Sequence, residues 1–441
     1  MRIRRFMAIP IAVVLLAGAC GGDDDDDDAA GDDNAATESG GGEDTGSVNI
    51  LSAVEPEEAE VVQGVLDSTV NDDADYTAEI EASGDFEEQF EIRAEGGTLD
   101  IALLPQPGQV AAAVDQGAVA LEDMGFEVDQ LTDQFGDYLM SLVEVDGKHY
   151  GMPTNVNLKS MVWYPKDDFD AAGYEVPDTW DDLLALSDQI VADGSTPWCV
   201  GYESEGATGW PATDWMEDIM LRTAGPDTYD QWVNHEIPFN DPAVLTATER
   251  FGEIMFGDGY VLGGADQTPS IAFGDAPGPM FEDPPNCWLH RQASFINAFF
   301  PAEAEAGVDY DWFPFPEIDQ QATLIAGEFA VAFRDAPEVR DFLEQFAGEE
   351  VQCGMGGETG SSRLSPNLDV EADCYANEIL ADSSEIVSAA LEDGTARFDA
   401  SDQMPPEVGS GSFWTGMMTY MQEGPDSAEG VLGDIEASWP T

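Results

Sequence analysis

Apolar positions in this chain come as short continuous runs and as stripes spaced three and four apart, and the two kinds alternate. Val48-Asn49-Ile50-Leu51-Ser52 reads as a short strand, and the stripe from Pro56 to about Val70 as a helix opened by proline. Tyr76 to Glu81 alternates with period two, as a half-buried strand does. Phe86, Phe90 and Arg93 lie on a helix that ends at Gly96-Gly97, and Leu99 to Leu104 is an unbroken apolar run that predicts a buried strand. Strand, helix, strand, helix, strand implies parallel pairing through right-handed crossovers. Ligands sit beyond the carboxyl ends of such strands, so Glu55, after the first, and Gln106, after the third, become candidate contacts.

Further along, Val143 to Tyr150 predicts a hairpin turning at Asp146-Gly147. Met161-Val162-Trp163-Tyr164 is an extended apolar run stopped by Pro165, and Gly173 to Pro177 is a loop. The next helix has Thr179 as its N-cap and Asp181 and Asp182 in its first turn, where negative charge complements the helix dipole. Leu183, Leu184, Leu186, Ile190 and Val191 form one face before Gly194 closes it. A buried strand around Trp198 to Tyr202 follows, then helices opening near Pro211 and Asp241. Asp309 to Phe315 and Thr323 to Phe333 read as strands, covered by a helix after Pro337. The class is α/β, and no internal repeat interrupts it.

Several motifs in this order carry a resemblance: Gly96 to Ala102, the stretch from Tyr150 to Trp215 that opens Tyr150-Gly151-Met152-Pro153, His235 to Pro242, Cys287 to Gln292, and Arg397 to Asp402. The chain resembles the sugar-binding extracellular solute-binding proteins that serve ABC importers, in particular the alpha-glucoside type. That resemblance implies a two-lobed periplasmic-binding-protein fold (type II), each lobe a mixed sheet flanked by helices, with the ligand cleft between the lobes. The expected lobes are 48–154 with 308–350, and 155–307 with 351–441; both strands between Asp309 and Phe333 are expected in the first. The implied function is capture of an oligosaccharide, an alpha-glucoside, by a monomer that delivers it to the importer's membrane subunits. An exported glycoside hydrolase or lyase, or a receptor for a non-sugar osmolyte, are the alternatives.

A sugar presents hydroxyls and an apolar C–H face, so its site needs planar hydrogen-bonding groups and aromatic platforms. Trp210, Phe329 and Trp414 are the candidate platforms, whereas Trp163 and Trp180 sit in strand and helix contexts that predict core packing. Asn155, Asn157, Asp214 and Glu328 join Glu55 and Gln106 as candidate hydrogen-bonding partners. After residue 20 only eight arginines and three lysines remain, so each should have a fixed partner; Lys159, Arg363 and Arg397 lie in segments that the resemblance brings to the cleft. The three histidines, His149, His235 and His290, complete no metalloprotease motif, and no nucleophile elbow or phosphate loop occurs. No catalytic residue, metal or cofactor is expected.

Charge adds an exclusion. With 91 acidic and 14 basic residues the formal charge is -77, which rules out a nucleic-acid partner, because phosphate contact needs clustered Lys and Arg. The acids are spread along the whole chain, a pattern that fits a high-salt habitat better than one basic ligand. Arg2, Arg4 and Arg5 followed by an apolar run to Ala19 form a signal peptide over residues 1–20, ending at a lipoprotein-like Cys20. Ala17 departs from the usual larger aliphatic residue at that point, which leaves simple secretion as the alternative. Lipidation of Cys20 would anchor the protein to the outer face of the cell membrane, with the Asp/Gly-rich stretch 21–47 as a charged tether. The remaining four cysteines allow three disulfide connectivities. Cys199 with Cys287 and Cys353 with Cys374 is the expected pairing: the resemblance places the first two in one lobe, and the second pair closes a short loop. Zinc is the competing reading, disfavoured by spacing and scarce histidine.

Overall fold

The computed structural model describes residues 46–440, so the expected signal peptide, Cys20 and nearly all of the tether lie outside the described residues. Its strands, in chain order, are β1 (Gly46–Ser52), β2 (Tyr76–Ala82), β3 (Ile101–Leu104), the hairpin β4 (Glu144–Val145) and β5 (Lys148–His149), β6 (Met152–Leu158), β7 (Met161–Tyr164), β8 (His290–Arg291), β9 (Asp311–Pro314), β10 (Thr323–Ala332) and β11 (Ala396–Phe398). β1 is flanked by β2 and β3, both parallel to it, as the strand and helix alternation requires. β10 extends this sheet, antiparallel to β3 and to β6 and parallel to β11. Its sequence Leu-Ile-Ala-Gly-Glu-Phe-Ala-Val-Ala is buried throughout, the near-continuous apolar run of a central strand covered on both faces.

A second sheet of three strands, β8-β7-β9, carries the other half of the fold. Around it stand the helices Trp180–Ala192, Trp210–Ala224 and Pro242–Met255. The first of these is capped as expected: the Thr179 hydroxyl accepts from the Asp182 N–H at 3.3 Å, an arrangement worth about 1 kcal/mol. Trp163, Trp198, Trp215 and Trp232 are all fully buried, so the aromatic content of the chain goes largely into core. Trp180 joins them at 5 % exposure.

Three expectations change here. Trp198 to Tyr202 forms no ladder; Trp198 makes single bridges to Val261 and Leu289, because its neighbours are irregular segments too short to extend the pairing. β9 pairs with β7, setting Trp312 opposite Trp163, and so belongs to the three-stranded sheet, not to the large one. After Val351 the chain stays on the large sheet as far as β11, and joins the helical core only from Ala400. Period-two patterning assigns faces to a strand but does not say which sheet receives it.

Both disulfides are present, Cys199–Cys287 and Cys353–Cys374, closing separations of 88 and 21 residues.

The chain passes between the two sheets three times, and the passages are hydrogen-bonded to one another. At the β6 to β7 passage, Lys159 N–H donates to Leu324 O (2.9 Å) and the Ser160 hydroxyl accepts from Leu324 N–H (2.8 Å). Leu324 is the second residue of β10, where the chain arrives from β9. At the end of β11, Asp399 N–H donates to Ile325 O at 2.8 Å.

Candidate ligand-binding site

Where the passages meet, a cavity of about 900 Å³ opens between the two sheets. That volume suits a small oligosaccharide, since ligand pockets span roughly 300–1,000 Å³. Its floor is β6. Asn155 and Asn157 alternate along the strand and share the face that lines the cavity, and Lys159, just past the strand's end, lines it too. β10 runs beside it and contributes Glu328; Gly327 is required there, because a Cβ would collide with the Asn155 carbonyl oxygen. Glu55 and Gln106 enter from the carboxyl ends of β1 and β3. From the opposite side come Trp210, at the start of its helix, and Trp414, which is 4 % exposed and donates its indole N–H to the Ser401 hydroxyl at 3.3 Å.

The Trp210 ring is fixed from several directions. Phe273 meets it edge-on at 5.2 Å between centroids, Phe295 lies tilted at 5.9 Å, and the Lys159 ammonium sits 4.8 Å from the ring centre. Lys159 itself offers nothing further. An ammonium has three N–H donors, and these face both oxygens of Asp214 (2.8 and 3.0 Å) and one of Asp399 (3.1 Å). Lys159 is thus a support for the indole and the floor, rather than a donor to ligand.

Eight of the twelve expected contact residues line this cavity, and the structure places the other four elsewhere. Asp214 is fully buried beneath the floor, between Lys159 and Arg291. Phe329 points away from its neighbour Glu328, is 1 % exposed, and packs on Phe398. Arg363 stands behind the wall, holding Glu58 at 2.9 Å and Glu328 at 2.5 Å. Arg397 grips Asp230 with two bonds of 2.6 and 2.9 Å, a structural pair outside the cavity. Conversely, Asp399 and Asp402 line the cavity although only their neighbour Arg397 was expected there. The strand end explains it: β11 stops at Phe398, and the next turn swings both aspartates inward. Phe273, Phe295 and Phe299 were also missed, since they come from irregular segments whose sequence carries no period. At the mouth, Glu205 adopts φ 47°, and its carboxylate sits 2.7 Å from where a Cβ on Gly84 would be, so the two sides touch there.

Beneath Asp399 of the floor lie Asp214 and Glu217, and one carboxylate oxygen from each of the three is within 4.8 Å of the others. Lys159 supplies the charge that holds them together, and the backbone N–H groups of Ala400 and Ser401 donate to Glu217 at 2.9 and 3.2 Å. Burial and the neighbouring Asp399 push the Asp214 carboxyl up to about 7, against the pull of Lys159 and Arg291. Burial and Asp399 likewise raise Glu217 well above the carboxylate range. Burial would also raise Asp399, but Lys159 and hydrogen bonds from Asp214, Glu217 and Ser401 outweigh it and hold this group below its ordinary value.

A pH dependence follows. A carboxyl raised by folding stabilises fully below its unfolded value of 3.8, and that contribution is lost as pH climbs through about 7. His290, lowered to about 4 by burial, acts in the opposite direction, but only below its ordinary value of 6.5. Between about pH 6.5 and pH 8.5 the thermal midpoint is therefore expected to fall, and Asp214→Asn to flatten the slope, in a melting series at constant salt.

An interdomain cavity with a polar floor and aromatic walls, set between two sheets joined by crossing strands, defines a two-lobed solute receptor. The sequence profile described as bacterial extracellular solute-binding protein matches residues 70–352, and the chain belongs to that family. It is 38 % identical over 405 residues to the osmoprotective compounds-binding protein GgtB of Synechocystis, covering 90 % of this chain and 93 % of that one. It is 40 % identical over 375 residues to the alpha-glucosides-binding periplasmic protein AglE of Rhizobium meliloti, covering 81 % and 79 %. Among solved structures, the solute receptor AcbH superimposes with a TM-score of 0.76 at 19 % identity, covering 89 % of this chain and 98 % of that one. A chitin oligosaccharide binding protein gives 0.72 at 17 % identity, covering 90 % and 98 %. The fold is that of the type II periplasmic binding proteins.

Proposed function

We propose that this protein captures a neutral oligosaccharide, an alpha-glucoside, between its two lobes and delivers it to the membrane subunits of an ABC importer. The observation that carries this is the pair of amides on β6. The Oδ1 atoms of Asn155 and Asn157 are buried and have no hydrogen-bond partner among the described residues, and Asn155 is only 6 % exposed. An orphaned buried acceptor costs about 1–3 kcal/mol, a penalty that sugar hydroxyls would remove. Trp210 beside them offers the apolar surface that a sugar C–H face needs. The relative named for alpha-glucosides supports the choice of ligand. Binding without turnover is the proposed activity, by a monomer anchored through Cys20.

Calorimetry and thermal melting with maltose, sucrose and trehalose test the reading. One of them should raise the midpoint, since a ligand of the native state alone stabilises by RT ln(1 + [L]/Kd). The ligand should be recovered intact; cleaved ligand would make the protein a hydrolase. Asn155→Ala is expected to weaken that ligand about tenfold or more. No shift with any saccharide would remove the sugar from the proposal. The relative named for osmoprotective compounds favours a second reading, a polyhydroxylated osmolyte, which a polyol glycoside in the same panel tests.

A further inference from the structure

Eleven of the cavity-lining residues are acidic and two are basic. Neither basic group approaches the cavity as a free charge. Both terminal nitrogens of Arg93 bond the Glu81 carboxylate, at 2.7 and 2.6 Å, and the Lys159 ammonium is fully engaged by Asp214 and Asp399. Behind the wall, Arg363 is shared by Glu58 and Glu328, and Arg291 by Asp214 and Asp218. By contrast, Asp85, Glu87, Glu203, Glu205 and Asp275 line the cavity and form no ion pair among the described residues, whereas burial and the neighbouring Asp399 raise the Asp402 carboxyl well above the carboxylate range. The orphaned Asn155 amide, itself more than nine-tenths buried, marks the same space as a place for a ligand.

We infer that the cavity selects its ligand by charge: it takes neutral polyhydroxylated compounds, tolerates an amino group, and rejects a carboxylate or phosphate. This rests on the reading of the cavity as a sugar site. Ionised carboxylates only accept hydrogen bonds, so they match the O–H donors of a sugar and the N–H donors of an ammonium. An anionic ligand brings acceptors to acceptors and like charge to like charge. Such repulsive groups discriminate between ligands even where they add nothing to the favoured one.

General acidity of the chain does not account for this effect. At ~1 M salt the Debye length is about 3 Å, which silences charges spread over the surface. Asp85, Glu205 and Asp275 are exposed, but Glu87 and Glu203 are half-buried in the cavity wall, where a ligand would touch their carboxylates directly. Charge selection should therefore survive in salt that removes long-range repulsion.

The full chain tests this with whichever of maltose, sucrose and trehalose binds, compared with its uronic acid, its uronamide and its amino-deoxy derivative by calorimetry. The uronate is expected to bind about 100-fold more weakly than the parent, and the uronamide and amine within about tenfold of it. The gap between uronate and uronamide should persist at ~1 M salt. Glu87→Gln with Glu203→Gln should raise the ratio of uronate to parent affinity about tenfold. A uronate that binds as well as its uronamide overturns charge selection, as does a gap that vanishes in salt or a ratio that the double variant leaves unchanged. Failure of every neutral saccharide to bind is a different outcome, and brings down the sugar reading together with the charge rule built on it.

Discussion

Lys159→Met is expected to destabilise the protein by roughly 3–5 kcal/mol, the loss seen when one partner of a buried ion pair is removed. The size comes from what stays behind. Asp214 is fully buried, and with the ammonium gone it and Asp399 face each other and Glu217 without the charge that binds them. Arg291 still reaches Asp214 at 3.3 Å but is also committed to Asp218 at 3.1 Å. Chemical denaturation at two pH values gives a sharper result than one. The carboxylates can relieve their repulsion by taking up protons, so the loss should be smaller near pH 5 than near pH 8. Adding Asp214→Asn should restore part of the stability, a coupling that two independent sites would not show. An equal loss at both pH values would mean that Lys159 contributes by packing alone.

Opening Cys199–Cys287 by double replacement with alanine should cost about 4–5 kcal/mol, and opening Cys353–Cys374 about 3 kcal/mol, because the unfolded chain regains more freedom from the longer loop. Ligand affinity should fall in both variants. The shorter loop contains Arg363, which holds Glu58 and Glu328 against the cavity wall, and the longer one carries Trp210 and Glu203 into the cavity. Calorimetry on both variants separates the effects. A Cys353 and Cys374 variant with unchanged affinity would show that Arg363 needs no such tether.

Much of this is legible in the amino-acid sequence. The Thr179 helix follows from a cap, a charged first turn and an apolar stripe. Glu55 and Gln106 follow from strand ends, which the rule for parallel sheets turns into cavity positions. Other residues face away from the cavity, each for its own local reason. Of Glu328 and Phe329, on either side of a register shift in β10, only the first reaches the cavity. Arg397 points out while Asp399, two residues on and already past the strand, points in. Asp214 carries the marks of a contact residue, charge and a helix start, but is drawn under the floor by Lys159. Glu203, Glu205 and the phenylalanines at 273, 295 and 299 sit in segments without periodicity, where only the folded chain brings them together.

The three passages between the sheets converge on Lys159, Ser160, Leu324 and Asp399, and two of those four residues also form the cavity floor. The residues that tie the two sheets together are therefore also the ground on which a guest would stand. Recutting that ground for a different guest would disturb the seam between the halves, so such a change should show in the melting of the empty protein as well as in its affinity.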